Sequence, residues 1–118
     1  MNNKILKTEK DFLKLKKLKN RGKKIGLCHG VFDLLHIGHI NHFLEAKKKC
    51  DILVVSLTKD EFINKGPNRP VFKIDNRVKF LSNIACLDYI CVANTGSALD
   101  AIKNIRPNYY FKGPDYKD

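Results

Sequence analysis

Six residues, Ile52-Leu-Val-Val-Ser-Leu57, constrain the fold of this chain more than any others. A run so apolar and β-branched suits a strand covered on both faces, the environment found inside parallel sheets flanked by helices. Parallel strands need crossover connections, and helical patterns stand on either side of this run. Thr8, with Asp11 three residues on, resembles a capping box; Phe12, Leu15 and Leu18 then recur at near-helical spacing, predicting a helix over about 8–20 that ends at Asn20–Gly22. Lys24 to Cys28 reads as a short strand broken by His29–Gly30. From Gly38, Ile40, Phe43 and Leu44 mark one face of a helix running to about Cys50.

Beyond the central run, Asp60 to Ile63 suits a brief helical turn, and the Gly and two Pro residues of positions 65–70 break regular structure. Ile74, Val78, Leu81 and Ala85 form one helical stripe, and Tyr89 to Val92 a short strand. Ser97 and Asp100 read as a second capping box, opening a helix through Ile105 that stops before Pro107; Tyr109 to Lys112 is a last strand. Strands alternating with helices at this spacing predict an α/β fold, an open parallel sheet with helices on both faces, built as one domain over 1–118 with its sheet core in 24–118.

Composition excludes several alternatives. Hydrophobic residues at 43% and charged residues at 30% are an ordinary globular balance, so disorder and fibrous repeats are not indicated. Uninterrupted apolar runs such as Ile52 to Val55 are too short to span a bilayer, and no apolar signal core follows Lys4; a cytoplasmic protein without a membrane partner is expected. Four cysteines stand singly and read as reduced, packed thiols. The formal charge of +11 lies largely between Lys14 and Lys24 and at Lys47–Lys49, where cations suit a helix end. With few aromatics among them, these clusters read as solvated faces rather than a nucleic-acid site.

Chemistry concentrates in His29-Gly-Val-Phe-Asp-Leu-Leu-His36-Ile-Gly-His39, between the first expected strand of the sheet and a helix start. Ligands of open α/β sheets bind at the carboxyl ends of strands, where helix N-termini offer unpaired N–H groups. Two histidines three apart, with Gly38 between them, would place two imidazoles and bare backbone N–H groups around one anion. Neither of the widespread glycine-rich phosphate loops is present. His42 and Glu45 follow on the same helix, but they do not complete a metal site, and no protein side chains are assigned to a metal.

This segment resembles the His-x-Gly-His block of the cytidylyltransferase-like nucleotidyltransferases. Lys65-Gly-Pro-Asn-Arg69-Pro-Val, the Asn76–Arg77 pair and Phe111-Lys112-Gly-Pro-Asp115-Tyr116 resemble later family blocks in family order. The similarity covers roughly positions 10 to 118 and is strongest to the adenylyltransferase domains of ADP-heptose synthases; glycerol-3-phosphate cytidylyltransferases come next. It implies a Rossmann-like fold and in-line attack of a substrate phosphate on the α-phosphorus of a nucleoside triphosphate accompanied by Mg²⁺, with pyrophosphate leaving. Such chemistry needs positioning and charge stabilisation rather than a nucleophile.

By the same resemblance, His36, His39, Lys65 and Arg77 would be catalytic, the histidines on the leaving pyrophosphate, Lys65 on the phosphates and Arg77 clamping the triphosphate. Gly30, Val31, Phe32, Asp33, Gly38, Lys112 and Asp115 would meet the nucleotide, and Arg69 and Asp33 the acceptor; Asp33 either orients a neighbouring loop or helps hold Mg²⁺. His29 stands where relatives carry a small polar residue. The expected partners are ATP, with CTP the alternative, and a phosphorylated acceptor: heptose 1-phosphate, or else glycerol 3-phosphate or an aminoalcohol phosphate. A non-catalytic nucleotide-binding module is the reading from another class. Relatives continue into a further helix, strand and Ile-Ser-Thr-Thr-like segment, so the resemblance implies a fragment of a longer domain that turns over slowly, with homodimer formation and fusion to a sugar-kinase-like domain as further family features.

Overall fold

Backbone pairing in the computed structural model, which describes residues 4–63, 70–94 and 97–112, joins five strands side by side, all parallel, in the order β1-β4-β3-β2-β5. Along the chain these are β1 (Ile5–Leu6), β2 (Ile25–Gly30), β3 (Ile52–Thr58), β4 (Tyr89–Ala93) and β5 (Tyr109–Tyr110). Between them run α1 (Glu9–Asn20), α2 (Ile37–Lys48), α3 (Ile74–Ser82) and α4 (Leu99–Ile105), with a short 3-10 turn at Asp60–Phe62. The fold is the expected Rossmann-like open sheet.

Alternation of side chains divides the interior into two layers. Ile25, Leu27, Ile52, Val54 and Cys91 meet Leu15 of α1 and Ala101 and Ile105 of α4. Cys28, Leu53, Val55, Leu57 and Ile90 meet Phe43 and Ala46 of α2 and Leu81 of α3. All seven residues of β3 are buried, which is why its sequence lacks a polar face. Each fully buried Leu, Ile or Phe contributes roughly 1.5–3 kcal/mol, so these two layers supply most of the driving force for folding.

Local signals explain the element ends. Thr8 Oγ1 accepts from the Asp11 N–H while the Asp11 carboxylate accepts from the Thr8 N–H, closing the expected capping box. The second expected box is only half formed: Ser97 Oγ accepts the Leu99 N–H at 3.3 Å, but the Asp100 carboxylate accepts from the Asn94 N–H instead of closing the box. His29–Gly30 does not break β2, because both residues pair with β3 at Ser56 and Leu57. Helix α3 ends at Ser82, short of Ala85; the Ser82 hydroxyl and the Asn83 amide both donate to the Lys79 carbonyl and close the last turn. The sheet also reaches back before residue 24, since Ile5 and Leu6 pair with Ile90 and Cys91. No helix among the described residues is long and apolar enough to cross a membrane.

Candidate active site at the carboxyl end of the sheet

The junction of β2 and α2 is held by a capping box made of two histidines. His36 is the N-cap of α2, with extended backbone, and its Nδ1 accepts the Gly38 N–H at 3.0 Å. His39 Nδ1 accepts the His36 N–H at 3.2 Å. The two rings lie 4.1 Å apart between centroids. An imidazole nitrogen that accepts a backbone N–H carries no proton, so in the neutral rings the proton resides on Nε2 of both histidines. The Gly38 N–H, expected to be bare, is therefore occupied by His36, and each neutral imidazole carries its proton on Nε2.

The loop before this box is strained and packed. Phe32 has φ 51°, a left-handed conformation uncommon for an aromatic residue. Its ring packs edge-on against His39 at 5.6 Å and against Phe43 at 5.4 Å, fixing the His39 imidazole from below. A Cβ at Gly30 would stand 2.8 Å from the Phe32 ring, so the absence of a side chain there is what admits the ring.

Asp33 is buried, and its two carboxylate oxygens accept the Val71 and Phe72 N–H groups, each at 2.7 Å. These two bonds hold the backbone at Val71–Phe72. Arg77 departs from expectation. Its side chain is fully buried, donating to the carbonyls of Phe72 (3.0 Å), Val31 (2.8 Å) and Thr58 (2.7 Å) and pairing with Asp60 at 2.5 Å. A guanidinium committed to four internal acceptors does not clamp a triphosphate; it ties the ends of β2 and β3 to the start of α3. Asp60 completes the knot, its other oxygen accepting the Ile74 N–H at 3.2 Å.

His29 is half-buried under the same loop, with Nδ1 2.6 Å from the Ser56 hydroxyl and Nε2 3.4 Å from the Thr58 hydroxyl. Burial holds its pKa below the ordinary value, favouring the neutral ring. His42 lies with Nε2 3.8 Å from the Cys28 sulfur rather than with the capping pair. Lys112 is exposed just past β5. Lys65, Arg69 and Asp115 lie outside the described residues. A cavity of about 1060 Å³ flanks α3, lined among others by Lys59, Asp60, Asp75, Val78 and Asn94, but no residue from Gly30 to His39 borders it, so it is not the phosphate site.

Ser56, Thr58 and Asp60 escaped the sequence reading. Their signal was present: two hydroxyls on alternate positions of an otherwise apolar strand, followed by a carboxylate at its carboxyl end.

The class of protein is now defined by an open parallel sheet whose first long strand delivers a His-x-Gly-His box into a helix. The cytidylyltransferase-like family model matches residues 27–118, and the chain belongs to that family. Among curated proteins it is similar to the bifunctional protein HldE of Syntrophotalea carbinolica, 37% identical over 100 residues, which cover 83% of this chain and 20% of that protein. HldE of Aliarcobacter butzleri is 36% identical over 118 residues, 98% of this chain and 25% of the relative. The chain thus spans about a fifth to a quarter of the length of these relatives. Among solved structures, the lipopolysaccharide core biosynthesis protein of Thermoplasma volcanium matches with TM-score 0.69 and 28% identity over 75% of this chain and 73% of that one. A pantoate-beta-alanine ligase from Francisella tularensis, at TM-score 0.65 and 16% identity over 90% of this chain and 54% of that one, shares the fold.

Proposed function

We propose that this chain is a nucleotidyl-transferring unit that moves AMP from ATP to a phosphorylated sugar of the heptose 1-phosphate kind and releases pyrophosphate. The observation that carries the reading is the histidine pair, two imidazoles 4.1 Å apart with both Nδ1 atoms engaged by backbone N–H groups at the carboxyl end of β2. Donors held in advance of the reaction cost little reorganisation when charge develops on a leaving group. An acceptor phosphate oxygen bonds to the α-phosphorus, the bond from that phosphorus to the bridging oxygen breaks, and the electron pair departs with pyrophosphate. His36 and His39 donate from Nε2 to the departing oxygens. Mg²⁺ bound with the triphosphate would offset further negative charge. Phe32 and Gly30 set the position of His39, while Asp33 and Arg77 act through the loops they hold and are positioning residues. Lys65, Arg69, Lys112 and Asp115 keep the roles the family resemblance implies, on the phosphates, the acceptor and the nucleotide. The sugar-phosphate acceptor is favoured by the similarity to the bifunctional HldE proteins, whose greater length leaves room for a sugar-kinase-like domain beside such a unit.

Pyrophosphate release tests the proposal. The protein is incubated with Mg²⁺, each nucleoside triphosphate in turn, and heptose 1-phosphate or glycerol 3-phosphate. Release that needs both ATP and the heptose phosphate is expected. Release with CTP and glycerol 3-phosphate would replace the substrate assignment. Nucleotide binding with no release from this chain or from a longer polypeptide containing it would leave a binding module in place of an enzyme.

A further inference from the structure

The +11 charge is not spread along the chain. Residues 1–24 hold ten cations and two carboxylates, whereas residues 25–118 hold thirteen and ten. Topology sharpens the asymmetry. Every helix here runs antiparallel to the strands, so helix C-termini gather at the amino end of the sheet, opposite the histidine box. Lys17 to Lys24 bring five cations to that end, Lys47 to Lys49 three, and Lys103 and Arg106 two. The carboxylates there are Glu45, Asp51 and Asp88. Lys47 pairs with Asp88 and Lys48 with Glu45, while none of the other eight cations has an ion pair among the described residues. Helix α2 alone, at twelve residues, separates the two ends by about 18 Å, roughly two Debye lengths, so this charge does not serve the triphosphate.

We propose that this cationic end of the sheet docks on an anionic lipid bilayer. Eight of these ten cations are lysines, as are Lys4 and Lys79 at the same end, and lysines are strongly hydrated point charges that suit a diffuse negative plane rather than the bidentate reading of single phosphates or bases. No aromatic residue stands within Lys17–Lys24, Lys47–Lys49 or Lys103–Arg106, so these cations are not interleaved with stacking platforms for nucleobases. Cations contributed by three separate helix ends meet a plane together, each adding about fivefold to partitioning near an anionic surface.

Cosedimentation with vesicles decides the matter. The protein should pellet with phosphatidylcholine vesicles containing about one-third phosphatidylglycerol, remain in solution with phosphatidylcholine alone, and be released by high salt. The exposed triple substitution Lys23→Ala/Lys24→Ala/Lys49→Ala should lower partitioning about a hundredfold, while Lys7→Ala/Lys73→Ala at the opposite end should change it about twofold or less. Circular dichroism confirms that each variant is folded. Equal binding to neutral vesicles, no binding to anionic ones, or tighter binding to a random duplex DNA than to anionic vesicles at the same salt would each overturn the proposal.

Discussion

Replacing Asp60 by alanine should be among the most damaging changes available outside the apolar core. Arg77 is fully buried, and Asp60 is its single anionic partner among the described residues. Removing one member of a buried ion pair costs about 3–5 kcal/mol because the other charge is left uncompensated. The Asp60 side chain is 28% exposed and three carbonyls still receive Arg77, which reduces that figure to about 2–3 kcal/mol. The Ile74 N–H also loses its acceptor, adding about 1 kcal/mol. The total is about 3–4 kcal/mol, a large part of the stability of a domain this size. In urea unfolding followed by circular dichroism, with a slope of about 1–2 kcal/mol per molar, the midpoint should fall by about 2 M. Asp60→Asn, which keeps the shape and one acceptor, should lose about half as much. A loss below about 0.5 kcal/mol for Asp60→Ala, as at an ordinary surface position, would refute the account of the Arg77 knot.

Asp33→Asn should cost about 2 kcal/mol and speed hydrogen exchange at the Val71 and Phe72 amides; unchanged exchange there would remove its loop-holding role. For His29, the folded pKa lies below its ordinary 6.5, so between the two values the unfolded chain binds more protons. The stability due to its neutral form is present above 6.5 and falls as pH drops through the folded value, a slope that His29→Asn should flatten in urea midpoints measured from about pH 7.5 down to about pH 5. Burial pushes the Cys28 and Cys91 thiols up to about 12, so alkylation of the native protein should mark Cys50 and Cys86 first and reach the other two only on unfolding.

Much of this architecture was legible in the residues. The Ile52–Leu57 run identified the central strand because both of its faces are covered, and the Thr8–Asp11 box marked a helix start because both halves of its hydrogen bonding are local. The pair Ile5–Leu6 was not visible, since two residues carry no periodicity and their strand exists only through pairing with β4. Ser97 and Asp100 had the right spacing for a cap, yet Asp100 found a better-placed partner in the Asn94 N–H. At the site, the histidine box was read correctly as a unit at the strand–helix junction. The fate of Arg77 was not, because an arginine on a helix looks the same in sequence whether its guanidinium turns outward or meets the Phe72 carbonyl nearby and those of Val31 and Thr58 from other segments. The lysine clusters, read singly as solvated faces, become one surface only when the crossovers bring their helix ends together.

The central claim is that His36 and His39 present paired Nε2–H donors to a polyphosphate. Long-range proton–nitrogen correlation spectra of the imidazoles test this directly, with assignments from His36→Gln and His39→Gln. Both rings should appear as the Nε2–H tautomer in the free protein, and both Nε2 resonances should shift when Mg²⁺ and ATP are added. Rings protonated at Nδ1, or Nε2 signals that stay in place while ATP perturbs other parts of the protein, would contradict it.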